Sequence, residues 1–238
     1  MHDNPLDCRG WAGGGSLAPT FSSGSIRPCA AFVPVQPRDE MISRIFGLSL
    51  LLVLAGAPAA AQTLPRVTIQ TSEGDIVVEV DTIRAPVTGS NFLRYVDGGF
   101  YHGGRFHRTV HLDNQPNDAV KIEVIQGGIA RVEGEGFPPI PLERTSVTGL
   151  RHLDGVVSMA RGGPDTATSD IFICIGDQPG LDFGGDRNPD GQGFAAFGRV
   201  LRGMDVVRRI QAAPAEGQAL RPPVSIVNIV RVGVERAH

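Results

Sequence analysis

Apolar and polar residues alternate through Arg66-Val-Thr-Ile-Gln-Thr71, break at Ser72-Glu-Gly-Asp75, and resume as the apolar run Ile76-Val-Val-Glu-Val80. Two such runs around a Gly-containing turn predict a β-hairpin. The period then changes. Pro86 opens a stretch in which Phe92, Tyr95 and Val96 share one helical face, and Gly98-Gly99 closes it. A helix over 86–97 follows, with an apolar side that needs a sheet to cover. Residues 105–112 and 120–126 return to strand character, joined by the polar loop His111–Ala119. Val156–Ala160, Ile171–Ile175, Phe194–Val200 and Val224–Val232 read as further short strands. A short helix over Gly203–Ile210 carries Met204, Val207 and Ile210 three apart, with Pro214 beyond its end. Seven or eight short strands and two helices predict a mainly β domain whose sheet closes or stacks to hide its edges.

The pattern applies only from about residue 62 onward. Before it, Met41-Ile-Ser-Arg44, the apolar run Ile45–Leu54 and the small residues through Ala59-Ala60-Ala61 form the three parts of a secretory signal. The run is short of the ~20 residues that span a bilayer. Residues 1–40 are Gly-, Pro- and Ser-rich, compositionally disordered, and sit upstream of where a signal should begin. The expectation is a translation start at Met41, a signal over 41–61 and one mature domain over 62–238, periplasmic or secreted, with no stable membrane insertion once the signal is removed. Across the 238 residues, 41% are hydrophobic and 20% charged, and the net charge of −3 leaves no polybasic footprint for nucleic acid. Cys8 and Cys29 fall in the leader, so Cys174 stands alone in the mature chain and reads as a small core hydrophobe.

Several sites can be weighed and set aside. Asp186-Arg-Asn188-Pro-Asp190-Gly191 copies the first half of a calcium loop, but Phe197 stands where a bidentate Glu is needed, so a solvated turn is expected. His102, His107 and His111 lack an acidic third ligand, and no metal is expected. Neither Gly-x-Ser-x-Gly nor a phosphate-cradling Gly loop before a helix occurs. What remains is Phe106-His107-Arg108, behind the Gly- and Tyr-rich turn Gly98–Gly104. On its own it fits a recognition element or half-buried strand residues equally well.

The motifs downstream decide between those readings. Phe106-His107-Arg108, Gln126-Gly127-Gly128, Ser158-Met159-Ala160 with Gly163-Pro164, Phe172-Ile173, Leu181-Asp182, Phe197-Gly198 and Gly203-Met204 occur in that order. Together, over about Val67 to Val232, they resemble the cyclophilin-type peptidyl-prolyl cis-trans isomerases. The resemblance implies a closed eight-stranded antiparallel barrel capped by two α-helices. It implies proline-containing polypeptides as substrates, no cofactor and a monomer. It assigns Arg108 as the catalytic donor and Gln126 to the substrate backbone. Phe106, Met159, Phe172 and Leu181 resemble the proline pocket, with His107 and Ala160 supporting it.

The departures are specific. Seventeen residues, 109–125, separate Arg108 from Gln126, where the family has a much shorter spacer. Glu123 stands where an aromatic is usual, Asp170 where a glutamine is usual, Arg161 for an asparagine, Gly180 for a tryptophan and Phe194 for a histidine. Asp170 is a candidate partner for Arg108 or Arg161, and the missing tryptophan predicts weak cyclosporin binding. A non-catalytic, proline-peptide-binding or chaperone-like module is therefore the alternative to an active isomerase.

Overall fold

The structure, a computed structural model, describes residues 63–130 and 136–233. The expected leader and signal lie outside the described residues. The elements in order are β1 (Arg66–Thr71), β2 (Gly74–Val80), α1 (Pro86–Asp97), β3 (Arg105–Val110), β4 (Val124–Gly128), α2 (Thr145–Thr148), β5 (Val156–Met159), β6 (Ile171–Cys174), β7 (Ala195–Arg202), α3 (Met204–Gln211), β8 (Ala215–Glu216) and β9 (Ala219–Arg231). Eight strands pair antiparallel in the order β1-β2-β7-β5-β6-β4-β3-β9, and β9 pairs back onto β1. The ring is closed, which removes the free edges that isolated sheets must protect. The two-residue β8 folds onto β9 as a small hairpin.

Period-two alternation divides each strand between two faces. One row, Ile125 in β4, Ile173 in β6 and Val157 in β5, runs across the sheet in register and is fully buried in the main core. At ~1.5–3 kcal/mol for each fully buried aliphatic or aromatic side chain, such rows dominate the stability of the barrel. α1 packs on β7 and β9 and α3 on β2, β3 and β4. Phe92 of α1 meets Phe197 at 5.1 Å and Tyr101 at 5.5 Å between ring centroids. Ala85, at the N-cap of α1, offers no capping side chain. Glu143 substitutes from afar, accepting from the backbone N–H groups of Val87 (3.0 Å) and Thr88 (2.6 Å). Its carboxylate satisfies two orphan donors and complements the positive end of the helix.

Three local readings change. β3 ends at Val110 rather than 112, and a 3-10 turn follows at Leu112–Asn114. β4 begins at Val124 rather than 120, because the Gln115 side chain takes the backbone of Ile122. Its Oε1 accepts from Ile122 N–H (3.1 Å) and its Nε2 donates to Ile122 C=O (2.8 Å), as a neighbouring strand would. β9 begins at Ala219, five residues before the expected strand, because Gly217-Gln218 makes a tight turn from β8, with Gly217 at φ +57°.

Candidate active site

The site lies on the outer face of the barrel. Arg108 in β3 pairs with Gln126 in β4, Gln126 with Phe172 in β6, and Phe172 with Ser158 in β5. Side chains opposite one another in adjacent strands point the same way, so this register sets Arg108, Gln126 and Phe172 in one row. Two residues along, Val110, Val124 and Cys174 form a second row on the same face. With Ile122 and Leu181, and with Ala160 and Phe194 packed against them, Phe172 and that second row make an apolar cluster separate from the main core.

A bulge makes this arrangement possible. Phe106 and Arg108, two apart in an ordinary strand, would share a face. The register of β3 slips between them against both β4 and β9. The extra residue, His107, lets Phe106 turn into the main core at 0% exposure while Arg108 stays half-buried outside. Gly127 fits this close approach: a Cβ there would lie 2.7 Å from the Arg105 carbonyl. Phe106 and Met159 therefore belong to the main core and back the site, while Phe172, Leu181 and Ala160 belong to the outer cluster.

The guanidinium is held on two sides. Nη1 donates to Gln126 Oε1 (2.9 Å), and Nε and Nη2 both donate to Gln218 Oε1 (2.9 and 2.6 Å). Burial first, then the Arg187 charge, pulls Arg108 below its ordinary pKa, with Asp118 opposing. It remains a cation at neutral pH, since arginine's reference value is so high. Gln218 has no place in the sequence motifs. The only cue to it in the sequence is the glycine beside it, Gly217, between the α3 and β9 segments.

The departures find partners in the structure. The Glu123 carboxylate accepts from Gln211 Nε2 (3.2 Å), on a groove of about 660 Å³ beside the end of α3. Asp170 Oδ2 stands 3.9 Å from His107 Nε2. Arg161 pairs with Asp190 (2.7 and 3.0 Å), donates to the Gly193 carbonyl (2.8 Å) and lies 4.9 Å from the centre of the Phe194 ring. Asp190, the third ligand position of the calcium-like segment, is thus committed to an arginine. Among the described residues, no group of three or more His, Cys, Asp or Glu is placed to hold a metal ion. Gly180 backs onto the long 109–125 segment: a Cβ there would lie 2.7 Å from Val120 Cγ1. Arg187 ties the same wall together, donating to Val120 C=O (2.7 Å) and Gln115 Oε1 (3.0 Å) and pairing with Asp118 (3.1 Å). The segment fills the space that a large side chain at 180 would need.

Behind the pocket lies an arrangement the sequence motifs missed. His152 Nδ1 meets Asp182 Oδ1 at 2.8 Å, and Nε2 meets Ser158 Oγ at 2.9 Å. The order imitates a hydrolase triad, but Ser158 and His152 are 0% and 1% exposed, so no substrate reaches the hydroxyl. The imidazole instead stacks on Phe172, with centroids 5.9 Å apart and planes 13° from parallel. Phe194 meets Phe172 edge-on at 5.3 Å. Burial raises the Asp182 carboxyl, but hydrogen bonds from the His152 ring and backbone, with the His152 and Arg151 charges, outweigh it and leave the pKa below its ordinary value. A depressed carboxyl stabilises the fold above the unfolded-state value and ceases to do so as pH falls through the folded-state value. Asp182→Asn should therefore cost about 1–3 kcal/mol at pH 7. In denaturant melts the gap from wild type should begin to narrow as the pH falls below about 4 and close only below the depressed folded-state value. A gap that is constant from pH 7 to 3 would show that the Asp182 charge does not matter.

The fold and the motifs point one way, and comparison with known proteins agrees. A family model described as cyclophilin type peptidyl-prolyl cis-trans isomerase/CLD matches residues 66–234. The peptidyl-prolyl cis-trans isomerase A of Dickeya dadantii is 36% identical over 171 residues, covering 71% of this chain and 83% of that one. A cyclophilin type isomerase of Cryptosporidium parvum superposes with a TM-score of 0.58 at 22% identity, covering 72% of this chain and 99% of that one. The same protein crystallised with the dipeptide Ala-Pro gives 0.56 at 22% identity, covering 69% and 97%. With its closed barrel, its Arg108–Gln126 pair and a matching family model over most of its length, this chain belongs to the cyclophilin-type peptidyl-prolyl cis-trans isomerases.

Proposed function

We propose that this isomerase turns Xaa-Pro bonds by aiming Arg108 at the prolyl nitrogen, with Phe172 holding the proline ring and Leu181 backing it from within the outer cluster. The observation that carries the reading is the 2.9 Å bond from Arg108 to Gln126 beside the Phe172 cluster. Rotation must break amide resonance against a barrier of ~18–20 kcal/mol. As the bond twists, the nitrogen lone pair localises and becomes an acceptor. Of the five guanidinium N–H groups, three bond to Gln126 and Gln218, and two remain for the substrate. A donor that meets an acceptor only in the twisted state lowers the barrier without tightening the ground state. Gln126 gives its Oε1 to Arg108 and keeps its Nε2 to donate to a substrate carbonyl. Ala160 walls the pocket from the side. His107 supports it from the bulge, while Phe106 and Met159 support it from the core.

No bond is made or broken, so the reading asks for no cofactor. Proline-containing polypeptides are the substrates, and the chain acts as a monomer. The test is exchange spectroscopy on an Xaa-Pro peptide with wild type and Arg108→Ala. Equal, uncatalysed rates for both would leave only the non-catalytic, peptide-binding alternative.

The place of action in this reading is outside the cytoplasm. Its support is the Arg44 charge, the Ile45–Leu54 apolar run and the Ala59-Ala60-Ala61 end. N-terminal sequencing of protein from the periplasmic or culture fraction should give Gln62. Protein confined to the cytoplasm, or peptides from residues 1–40 in the precursor, would contradict this localisation or the start at Met41.

A further inference from the structure

We infer that Gln218 is a positioning residue for Arg108, and that the long 109–125 segment sets it through Asn114. This rests on the reading of Arg108 as the donor. The Gln218 amide is fixed at both ends. Its Oε1 accepts from Nε and Nη2 of Arg108 (2.9 and 2.6 Å), and its Nε2 donates to the Asn114 carbonyl (3.2 Å). One oxygen bridging two N–H groups of a planar guanidinium fixes the direction of the whole plane, which a single bond from Gln126 cannot do.

Asn114 is itself a clip. Its Nδ2 donates to the carbonyls of Thr109 (3.0 Å), in β3, and Gly217 (3.0 Å), in the β8–β9 turn. Its Oδ1 accepts from His111 N–H (3.0 Å). The strand carrying Arg108 and the turn carrying Gln218 are thus joined by one side chain from the long segment. The segment is anchored in turn by Gln115, only 1% exposed, which bonds to His111 and Ile122 and receives Arg187. The bonds run from buried Gln115 through Asn114 and Gln218 to the guanidinium. Gln218 acts through Arg108, and the two N–H groups left to the substrate point where this chain holds them.

Such a role separates turnover from binding. Gln218→Met keeps the length of the side chain and removes the acceptor. It should lower kcat about tenfold or more while KM stays within about twofold, because only the orientation of the donor is lost. Gln218→Glu restores an acceptor and should recover much of kcat. In a 1H–15N spectrum, the Arg108 Nε–H signal should be sharp in wild type and broadened or lost in Gln218→Met. Asn114→Ala, which leaves Gln218 in place, should move the same signal and lower kcat in the same direction. Wild-type kcat and an unchanged Nε–H signal in both Gln218→Met and Asn114→Ala would overturn the inference. Arg108→Ala in the same assay separates the two levels. If it is inactive while Gln218→Met is fully active, only the positioning role falls. If it is fully active, the donor reading falls and the positioning role with it.

Discussion

Arg108→Ala should reduce the acceleration of Xaa-Pro exchange by about 10²–10³-fold, the loss typical of removing one pre-aimed donor from a catalytic site. The expectation follows from timing. The prolyl nitrogen is a poor acceptor while conjugated and a good one when twisted, so the lost bond belongs to the transition state. kcat and kcat/KM should therefore fall together. Arg108→Lys should rescue little, since an ammonium cannot hold the bonds to Gln126 and Gln218 and still present a directed donor. Arg108→Ala leaves the two glutamine oxygens without a donor, at about 1–3 kcal/mol, so a melt must accompany the kinetics. A folded Arg108→Ala protein within a few-fold of wild type would show that the barrier is lowered by other means.

The second large effect is expected at Phe172. The ring is 4% exposed, stacked on His152 and met edge-on by Phe194. Phe172→Ala should cost about 3–5 kcal/mol in chemical denaturation, because the rings around it are pinned and cannot collapse into the space. His152 is held by Asp182 and Ser158, and Phe194 sits under Arg161. Affinity for a proline peptide should drop about tenfold or more as the apolar wall is removed. Phe172→Leu should recover most of the stability but less of the affinity, since it restores volume without the flat ring. A loss of stability below about 1 kcal/mol in the alanine variant would show that the outer cluster contributes little to the fold.

Much of this was legible in the chain. Alternation placed β1, and short apolar runs placed β2, β5, β6 and the body of β7, because strands such as β6 are buried on both faces. Gly98-Gly99 and Pro86 bracketed α1. The family motifs named Arg108, Gln126 and the Phe172 pocket. Two kinds of feature were hidden. A bulge has no sequence signal of its own, so Phe106 read as a pocket residue although the slip at His107 turns it into the core. Long-range side-chain bonds are equally silent. Gln218 reaches Arg108 across 110 positions, and His152 reaches Asp182 across 30. Glutamine or histidine in a polar stretch reads as solvated until the fold supplies its partner. Asp170 was a candidate partner for Arg108 or Arg161; the structure sets it by His107 and gives Arg161 to Asp190.

The close approach of Val120 to Gly180, where a Cβ would lie 2.7 Å from Val120 Cγ1, ties two features of this chain together. The lengthened spacer and the missing aromatic are two sides of one change. A large side chain at 180 would leave no room for Val120, and this chain, if trimmed to a shorter spacer, would be left with a breach in its pocket wall. A hybrid that swaps one without the other combines two incompatible halves.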